Sequence, residues 1–411
     1  MKNAILFLLA GVLLSCTRNS EPQLLFTNPS DQPGNNAGVV ISRSLFDAFP
    51  QVAEGMLPLL NVSGNILPAQ ADDLDGDGAW DELFVLLNIG ANEALNATVT
   101  FASPGDYPEF STMTNIRFAR KDQDYTEVTT AVREEHAINT QTQQVWQMEG
   151  IAWENDRVGF RNYFDRRNGM DIFGKVTNAM VLDEVGYKDN PSYHEYNPAW
   201  GVDVLKVGNS LGAGSIAYSY KDSLYRVGDN GLGTCTVLAE GPLRSIFRFT
   251  FENWKMGDQS LDVTHDVSIQ AGTYYYESRV SFKGTVEKLE LVTGIVNTKS
   301  TAFVEVPGTE KAKAFYTFDL QSEDTTLLGM ALMVPARSFR STSEAPSTGG
   351  GITETYCIHL DAAPEKVNTF RFYTVWEREN DQWKTAEGFE KLLIRDAALM
   401  REPVSVEVAG S

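Results

Sequence analysis

The chain has 411 residues, with 34 basic and 55 acidic side chains giving a net charge of −21 and a pI near 4.6. That length buries more than one layer of core, so a small binding module is excluded. The negative field repels nucleic acid and anionic membrane surfaces, so neither is an expected partner; an anionic ligand would need a local cluster of arginines.

Residues 1–16 read MKNAILFLLAGVLLSC: a lysine, an apolar run too short to span a bilayer, then Leu14, Ser15 and Cys16. This is the pattern of a signal peptide over residues 1–15 that resembles a bacterial lipobox. Lipidation of Cys16 is therefore expected, giving an exported, membrane-anchored protein of the periplasm or cell surface. Residues 16–38 are polar and rich in Pro, Asn and Ser, as in a tether, so folded structure is expected from near Val39.

Short strands with turn signals (GVVISRSLF, LLNVSGNILPAQ, DELFVLLNI, ATVTFASPG) predict a small N-terminal β unit over residues 39–135. Within it, DLDGDGAWDE sets Asp73, Asp75, Asp77 and Asp81 at positions one, three, five and nine of a calcium-type loop, with Gly78 at the sharp turn. Position twelve is Phe84, which excludes an EF-hand. One reading is a structural calcium site, to which Glu82 adds an oxygen; the other is a hairpin whose carboxylates cap their own backbone.

Residues 136–411 read as the main β-sandwich. In GPLRSIFRFTFENW, Leu243, Phe247, Phe249 and Phe251 alternate with Arg244, Arg248 and Glu252. LDVTHDVSIQ alternates likewise, and further strands follow at hairpin spacing with no βα alternation, which favours a large antiparallel sandwich. One helix is expected, over 384–401, from Phe389, Leu392, Leu393 and Leu399 at helical spacing and Pro403 beyond it. The fold class is thus mostly β with a C-terminal helix.

The chemistry concentrates in residues 149–206. In WENDRVGFRNYFD, a turn at Asn155 and Asp156 puts Arg157, Arg161, Tyr163 and Asp165 on one strand face and Val158, Phe160 and Phe164 on the other. Two arginines beside a tyrosine form a fork for a carboxylate. Arg166, Arg167, Asp171 and Lys175 extend the set. The loop SYHEYNPAWGVD flanks His194 with Tyr193, Glu195 and Tyr196, and Trp200, Asp203 and Lys206 follow. A histidine with a carboxylate neighbour suits general-base work, and a loop tryptophan suits stacking on a sugar ring. A solvated sheet face with internal ion pairs is the alternative.

His265 alternates in phase with apolar residues and reads as a core histidine; His359 lies inside a strand and His136 in a polar stretch. Cys235 and Cys357 sit on separate strands, as one disulfide or two buried thiols. Nucleotide, nicotinamide and zinc motifs are missing, as is the GxSxG of serine hydrolases, so no organic cofactor is expected.

The blocks EGIAWENDRVGFRNYFDRRNGMDIFGK, SYHEYNPAWGVDVLKVGNSLGAGSIA and EGPLRSIFRFTF, with DLDGDGAWDEL upstream, resemble the secreted Bacteroidetes domain-of-unknown-function family 4861. That resemblance implies genes placed beside polysaccharide-degrading enzymes, a galactose-mutarotase-like or lyase-like supersandwich, and an oligosaccharide substrate. It transfers no residue roles. Three readings follow. The first is β-elimination on uronic-acid oligosaccharides, as a lyase or dehydratase, with Arg157 and Arg161 on the carboxylate, His194 as base, Tyr163 or Tyr193 as acid and Trp200 as platform; Asp165, Arg166, Asp203 and Lys206 complete the binding set. The second is a glycosidase or epimerase drawing on Glu149, Glu154, Asp165, Asp171, Glu195 and Asp203. The third is a glycan-binding lipoprotein without catalysis. The sequence leaves the oligomeric state open.

Overall fold

The computed structural model describes residues 22–409 apart from 50–54, 134–136, 189, 287–288 and 309–310. The signal peptide, Cys16 and His136 thus lie outside the described residues. Among those described, no helix is long and apolar enough to cross a membrane.

The alternating strands assemble a large antiparallel sandwich. Its main sheet has nine strands, running from Thr130–Arg133 through Leu232–Glu240, Arg244–Met256, Gln259–Gln270 and Tyr275–Lys283 to Asn368–Trp376, Leu328–Pro335, Ala312–Asp319 and Val304–Glu305. Against one face lie two five-stranded sheets. The site sheet is ordered Gly201–Asp203, Met170–Lys175, Gly159–Asn162, Ala152–Asn155, Thr114–Arg117. The back sheet is ordered Ser223–Arg226, Ala213–Tyr220, Leu289–Val296, Thr355–Ala362, Phe339–Glu344. A parallel bridge between Met170 and Gly212 joins the two.

The inward residues of each layer close one core. Trp153 of the site sheet sits 4.9 Å from Phe247, and Phe160 lies 4.9 Å from Tyr276. Each such buried aromatic stabilises the sandwich by roughly 1.5–3 kcal/mol. His265 belongs to this core, as its alternation predicted: it bonds Ser278 Oγ at 2.8 Å, and burial pulls its pKa down to about 4, keeping it neutral. Cys235 and Cys357 are buried free thiols rather than a disulfide.

Two boundaries differ from the sequence expectation. Gln23–Thr27, inside the expected tether, is a strand, because Leu24 and Phe26 alternate into the N-terminal core and its backbone pairs with Ala94–Ala102 on one side and Ser405–Val408 on the other. At the other end, Thr114–Arg117 joins the site sheet and Thr130–Arg133 the main sheet, so the N-terminal strands end near Ala102 rather than at 135. The C-terminal helix spans Ala386–Arg401, capped by Thr385, and buries Phe389, Leu392 and Leu393 against the main sheet's outer face. It starts later than expected because Asp381–Lys384 forms a tighter turn. A short helix, Asn139–Val145, was not expected; NTQTQQV carries no apolar stripe to announce it.

Residues 176–188 and 190–200 cover the outer face of the site sheet and are pinned by one buried ion pair. Glu154 Oε1 accepts the Val181 and Leu182 amides at 2.6 and 2.8 Å, and its Oε2 takes Lys175 Nζ at 2.5 Å. Neither side chain is exposed to solvent. Breaking such a pair by removing one partner leaves an uncompensated charge, so Lys175→Met is expected to lower unfolding free energy by about 3–5 kcal/mol in urea titrations. A loss under about 1 kcal/mol would mean water reaches Glu154 once the lysine is gone.

Candidate functional site

Alternation puts Arg161, Asp171 and Asp203 on the outer face of three neighbouring strands. The hairpin register sets Arg161 directly opposite Asp171, and Asp203 follows on the edge strand beside Phe173. Asp203 reaches this place because Gly201 holds a left-handed φ of 134°, where a Cβ would lie 1.7 Å from the Gly174 carbonyl oxygen.

Arg161 is the centre of the cluster, with 1% of its side chain exposed. Its Nη2 donates to Asp171 Oδ2 at 2.7 Å and to Asp203 Oδ2 at 2.6 Å, while Nη1 lies 3.4 Å from Glu149 Oε1. Glu149 adopts a left-handed φ of 67°, a strained choice for a non-glycine residue. The rings of Tyr163, Tyr193 and Phe173 enclose the guanidinium at 4.8, 4.9 and 5.3 Å. Tyr163 Oη donates to Asp171 Oδ2 at 2.5 Å, and Tyr193 Oη lies 3.4 Å from Glu149 Oε1.

His194 stands where this network meets solvent. Its side chain is 61% exposed, and its Nδ1 lies 3.2 Å from Asp203 Oδ2, the oxygen that also accepts from Arg161. The hydrogen bond to Asp203 raises the imidazole pKa above its usual value. Burial, with Asp203 beside it, pushes the Asp171 carboxyl up to about 7. Burial also drives the Tyr163 hydroxyl well above its ordinary pKa, so it stays protonated. The arrangement can move a proton at His194 Nε2 while a buried carboxylate holds Nδ1.

Several expected roles change in this geometry. Arg161 does not offer its guanidinium to a ligand, because three carboxylates already compensate it and no solvent reaches it. Arg157 is not part of the cluster: as a turn residue it belongs to neither strand face, and it lies between Asp156 at 3.2 Å and Glu379 at 3.7 Å. Asp165 is buried and held by Arg167 at 2.7 Å. Tyr163 is buried and faces Asp171 rather than solvent. Trp200 packs edge-on against Phe173 at 6.0 Å. Arg166 and Lys206 are exposed and, among the described residues, form no ion pair. Glu149 and Asp171, expected as carboxylates of the glycosidase reading, are instead ion-pair partners of Arg161; the spacing of the hairpin is the one sequence signal that pairs Asp171 with Arg161.

Two other constellations were weighed. Asp73, Asp75 and Asp81 bring one oxygen each within 4.8 Å of one another, a donor set that fits a hard cation, whereas Asp77 lies outside the group and caps the Ala79 amide at 2.8 Å. Asp73 accepts the Gly76 and Gly78 amides, so the self-capped hairpin is also realised. Glu82 adds no oxygen to the loop and instead meets Arg244 at 3.1 Å. On the back sheet, Ser343 Oγ, His359 Nε2 and Glu290 form a relay at 2.7 and 2.8 Å. Ser343 lies within a strand rather than on a turn that would free amides for an oxyanion, so the relay stays a polar sheet contact.

Residues 26–406 match the profile of a family described as a domain of unknown function, DUF4861. The chain belongs to this family. No curated protein matches this DUF4861 chain. Among solved structures it is similar to an alpha-mannosidase from Enterococcus faecalis V583, at 8% identity and TM-score 0.46, over 95% of this chain and 46% of that one. It is similar also to a glycosyl hydrolase family 38 protein from Enterococcus faecalis, at 7% identity and TM-score 0.45, over 95% and 47%. A candidate aldose 1-epimerase from Klebsiella pneumoniae aligns at 9% identity and TM-score 0.31, over 68% of this chain and 94% of that one. The DUF4861 chain thus spans about half the length of the first two. With every TM-score below 0.5, these likenesses carry no weight for activity.

The proton on Asp171 makes stability depend on pH. Its folded pKa of about 7 lies above the ordinary 3.8, so its contribution to folding is complete below about pH 3.8 and is lost as pH rises through 7. His194, also raised, acts in the same direction at higher pH. Urea midpoints measured from pH 4 to 8 are expected to fall less steeply for Asp171→Asn than for the wild type. Parallel curves would show that Asp171 is ionised throughout.

Proposed function

We propose that this DUF4861 protein is a carbohydrate-active enzyme that uses His194 as a general acid–base, and that its reaction is β-elimination on a uronic-acid residue of an oligosaccharide. The observation that carries the reading is the exposed imidazole whose Nδ1 rests on the buried Asp203 carboxylate. That contact fixes the ring and leaves Nε2 for a substrate proton.

In this reaction His194 Nε2 removes the proton on C5, alpha to the sugar carboxylate. The C4–O bond breaks, C4=C5 forms, and the same nitrogen returns the proton to the departing oxygen. One group serves both steps because Tyr163 and Tyr193 direct their hydroxyls inward, to Asp171 and Glu149. Arg166, exposed beside Arg167, is the guanidinium available to draw charge from the sugar carboxylate.

Hydrolysis is less well supported. It needs two carboxyl groups facing the scissile bond. Glu149, Asp165, Asp171 and Asp203 are buried in ion pairs with Arg161 or Arg167, and Glu154 is buried with Lys175, which leaves Glu195 as the one solvent-facing acid of that set. The motif ending at Cys16 supports a lipid-anchored setting, in which the enzyme meets oligosaccharides outside the cytoplasm.

Incubated with uronic-acid oligosaccharides, the wild type is expected to develop ultraviolet absorbance with loss of water or of a chain fragment. His194→Ala should lower kcat about a hundred- to ten-thousand-fold with little change in Tm. As a base His194 must be neutral, so the acid limb of the rate profile should lie above pH 6.5, and Asp203→Asn should move it down. Undiminished turnover in His194→Ala would end the assignment.

For the Asp-rich loop we propose a structural cation site formed by Asp73, Asp75 and Asp81, where a bound calcium would neutralise three converging carboxylates. Calcium should raise Tm and a chelator reverse it, while Asp75→Ala removes the response. A Tm indifferent to calcium would leave the self-capped hairpin as the whole account.

A further inference from the structure

A second chemical surface lies on the opposite side of the molecule. The aromatic core fills the inner face of the main sheet, so its outer face carries the alternate residues of the same strands. Register lines them up in rows. Arg248, Asp266 and Arg279 are cross-strand neighbours in one row; Ser268, Glu277 and Arg371 form the next, and Arg244 pairs with Gln270 beyond it. The N-terminal strands close over these rows with Gly38, Val40 and Phe84, leaving a cavity of about 300 Å³. Gly38 is needed for that approach, since a Cβ there would meet Gln270 Oε1 at 2.5 Å and the Phe84 ring at 2.7 Å.

Four guanidinium groups line the cavity, and three have carboxylate partners. Arg244 is held by Asp72 and by Glu82 at 3.1 Å. Arg248 is bidentate to Asp266 at 2.6 and 2.9 Å, and Arg371 meets Glu277 at 2.9 Å. Arg279 is exposed and, among the described residues, its side chain has no ion pair or hydrogen bond. Asp266 is its cross-strand neighbour, but both oxygens of that carboxylate are taken by Arg248. In a chain of net charge −21, an uncompensated guanidinium facing a cavity is a specific feature. The remaining lining mixes apolar Ile246 and Phe84 with the hydroxyls of Ser268 and Tyr275, the mixture that suits a sugar ring with one apolar face and a hydroxyl rim.

We propose that this cavity is a binding site for a carboxylate-bearing sugar, with Arg279 receiving the carboxylate, and with Glu277 Oε1 and the Ser268 hydroxyl meeting ring hydroxyls. The site has no histidine, and burial pushes the Tyr275 hydroxyl up to about 12, so that hydroxyl stays protonated. The layers between the two sites make it separate from His194, and the inference stands whether or not His194 is catalytic.

The test is calorimetric titration of the His194→Ala/Arg166→Ala protein, which removes turnover by His194 and the carboxylate contact proposed with it, with a disaccharide ending in glucuronate and with its neutral glucose counterpart. The acidic disaccharide should bind at least about tenfold more tightly than the neutral one at low salt. Adding Arg279→Ala should erase that preference at unchanged Tm, as expected for an exposed side chain without partners, and Arg279→Lys should restore part of it. Equal binding of the two disaccharides, no binding of either, or a preference that survives Arg279→Ala would overturn the proposal. Failure of the catalytic reading would appear instead as turnover in His194→Ala alone.

Discussion

The burial of Arg161 is the constraint from which the face carrying His194 follows. Taking a guanidinium out of water costs several kcal/mol unless carboxylates meet it with good geometry. Here they come from three places in the chain: Glu149 ahead of the first strand of the hairpin, Asp171 on the strand opposite and Asp203 on the edge strand. One cation therefore fixes the relative position of three strands and of the loop that carries Tyr193 and His194. Burial, with Asp203 beside it, holds the Asp171 pKa up, and the hydrogen bond to Asp203 raises that of the imidazole. Rigidity at the buried end and exposure at the histidine end are two sides of the same arrangement.

Much of the fold was legible because strand alternation is a local signal. The inward placement of Phe160, Phe164, Phe247, Phe249 and His265 follows from counting residues along single strands. What single strands do not reveal is which face meets which neighbour. Arg161 lies on the face predicted for it, yet that face is covered by Leu182, Val185, Tyr193 and Trp200, which turns an expected ligand contact into a buried ion-pair centre. Arg157 was counted as part of the strand although it sits in the turn, where alternation no longer applies. The strand Gln23–Thr27 was hidden in polar company, since three apolar residues in a row give little period to read and its partner lies at the far end of the chain.

The two faces of the sandwich divide the polar chemistry between them. Outside the site sheet, charges are buried and interlocked, leaving one histidine to face solvent. Outside the main sheet, charges stand in rows around a cavity and leave one arginine uncompensated. Both patterns arise from strands whose inner residues are almost wholly aromatic or aliphatic, so the ionisable residues of those strands have the outer faces as their place. The core separates the two surfaces, and a substituted side chain on one has no direct contact through which to disturb the other.

The pairing of Ser405–Val408 with Gln23–Thr27 has a consequence for biogenesis. The first strand among the described residues receives its edge partner only when residues 405–408 arrive. An N-terminal sheet closed by the C-terminus cannot be finished during vectorial emergence from a ribosome or a translocation pore. Its strands wait, partly unpaired, through the passage of nearly the whole polypeptide. Until then the N-terminal sheet stays open to threading and to unfolding, because the clasp that locks it forms last.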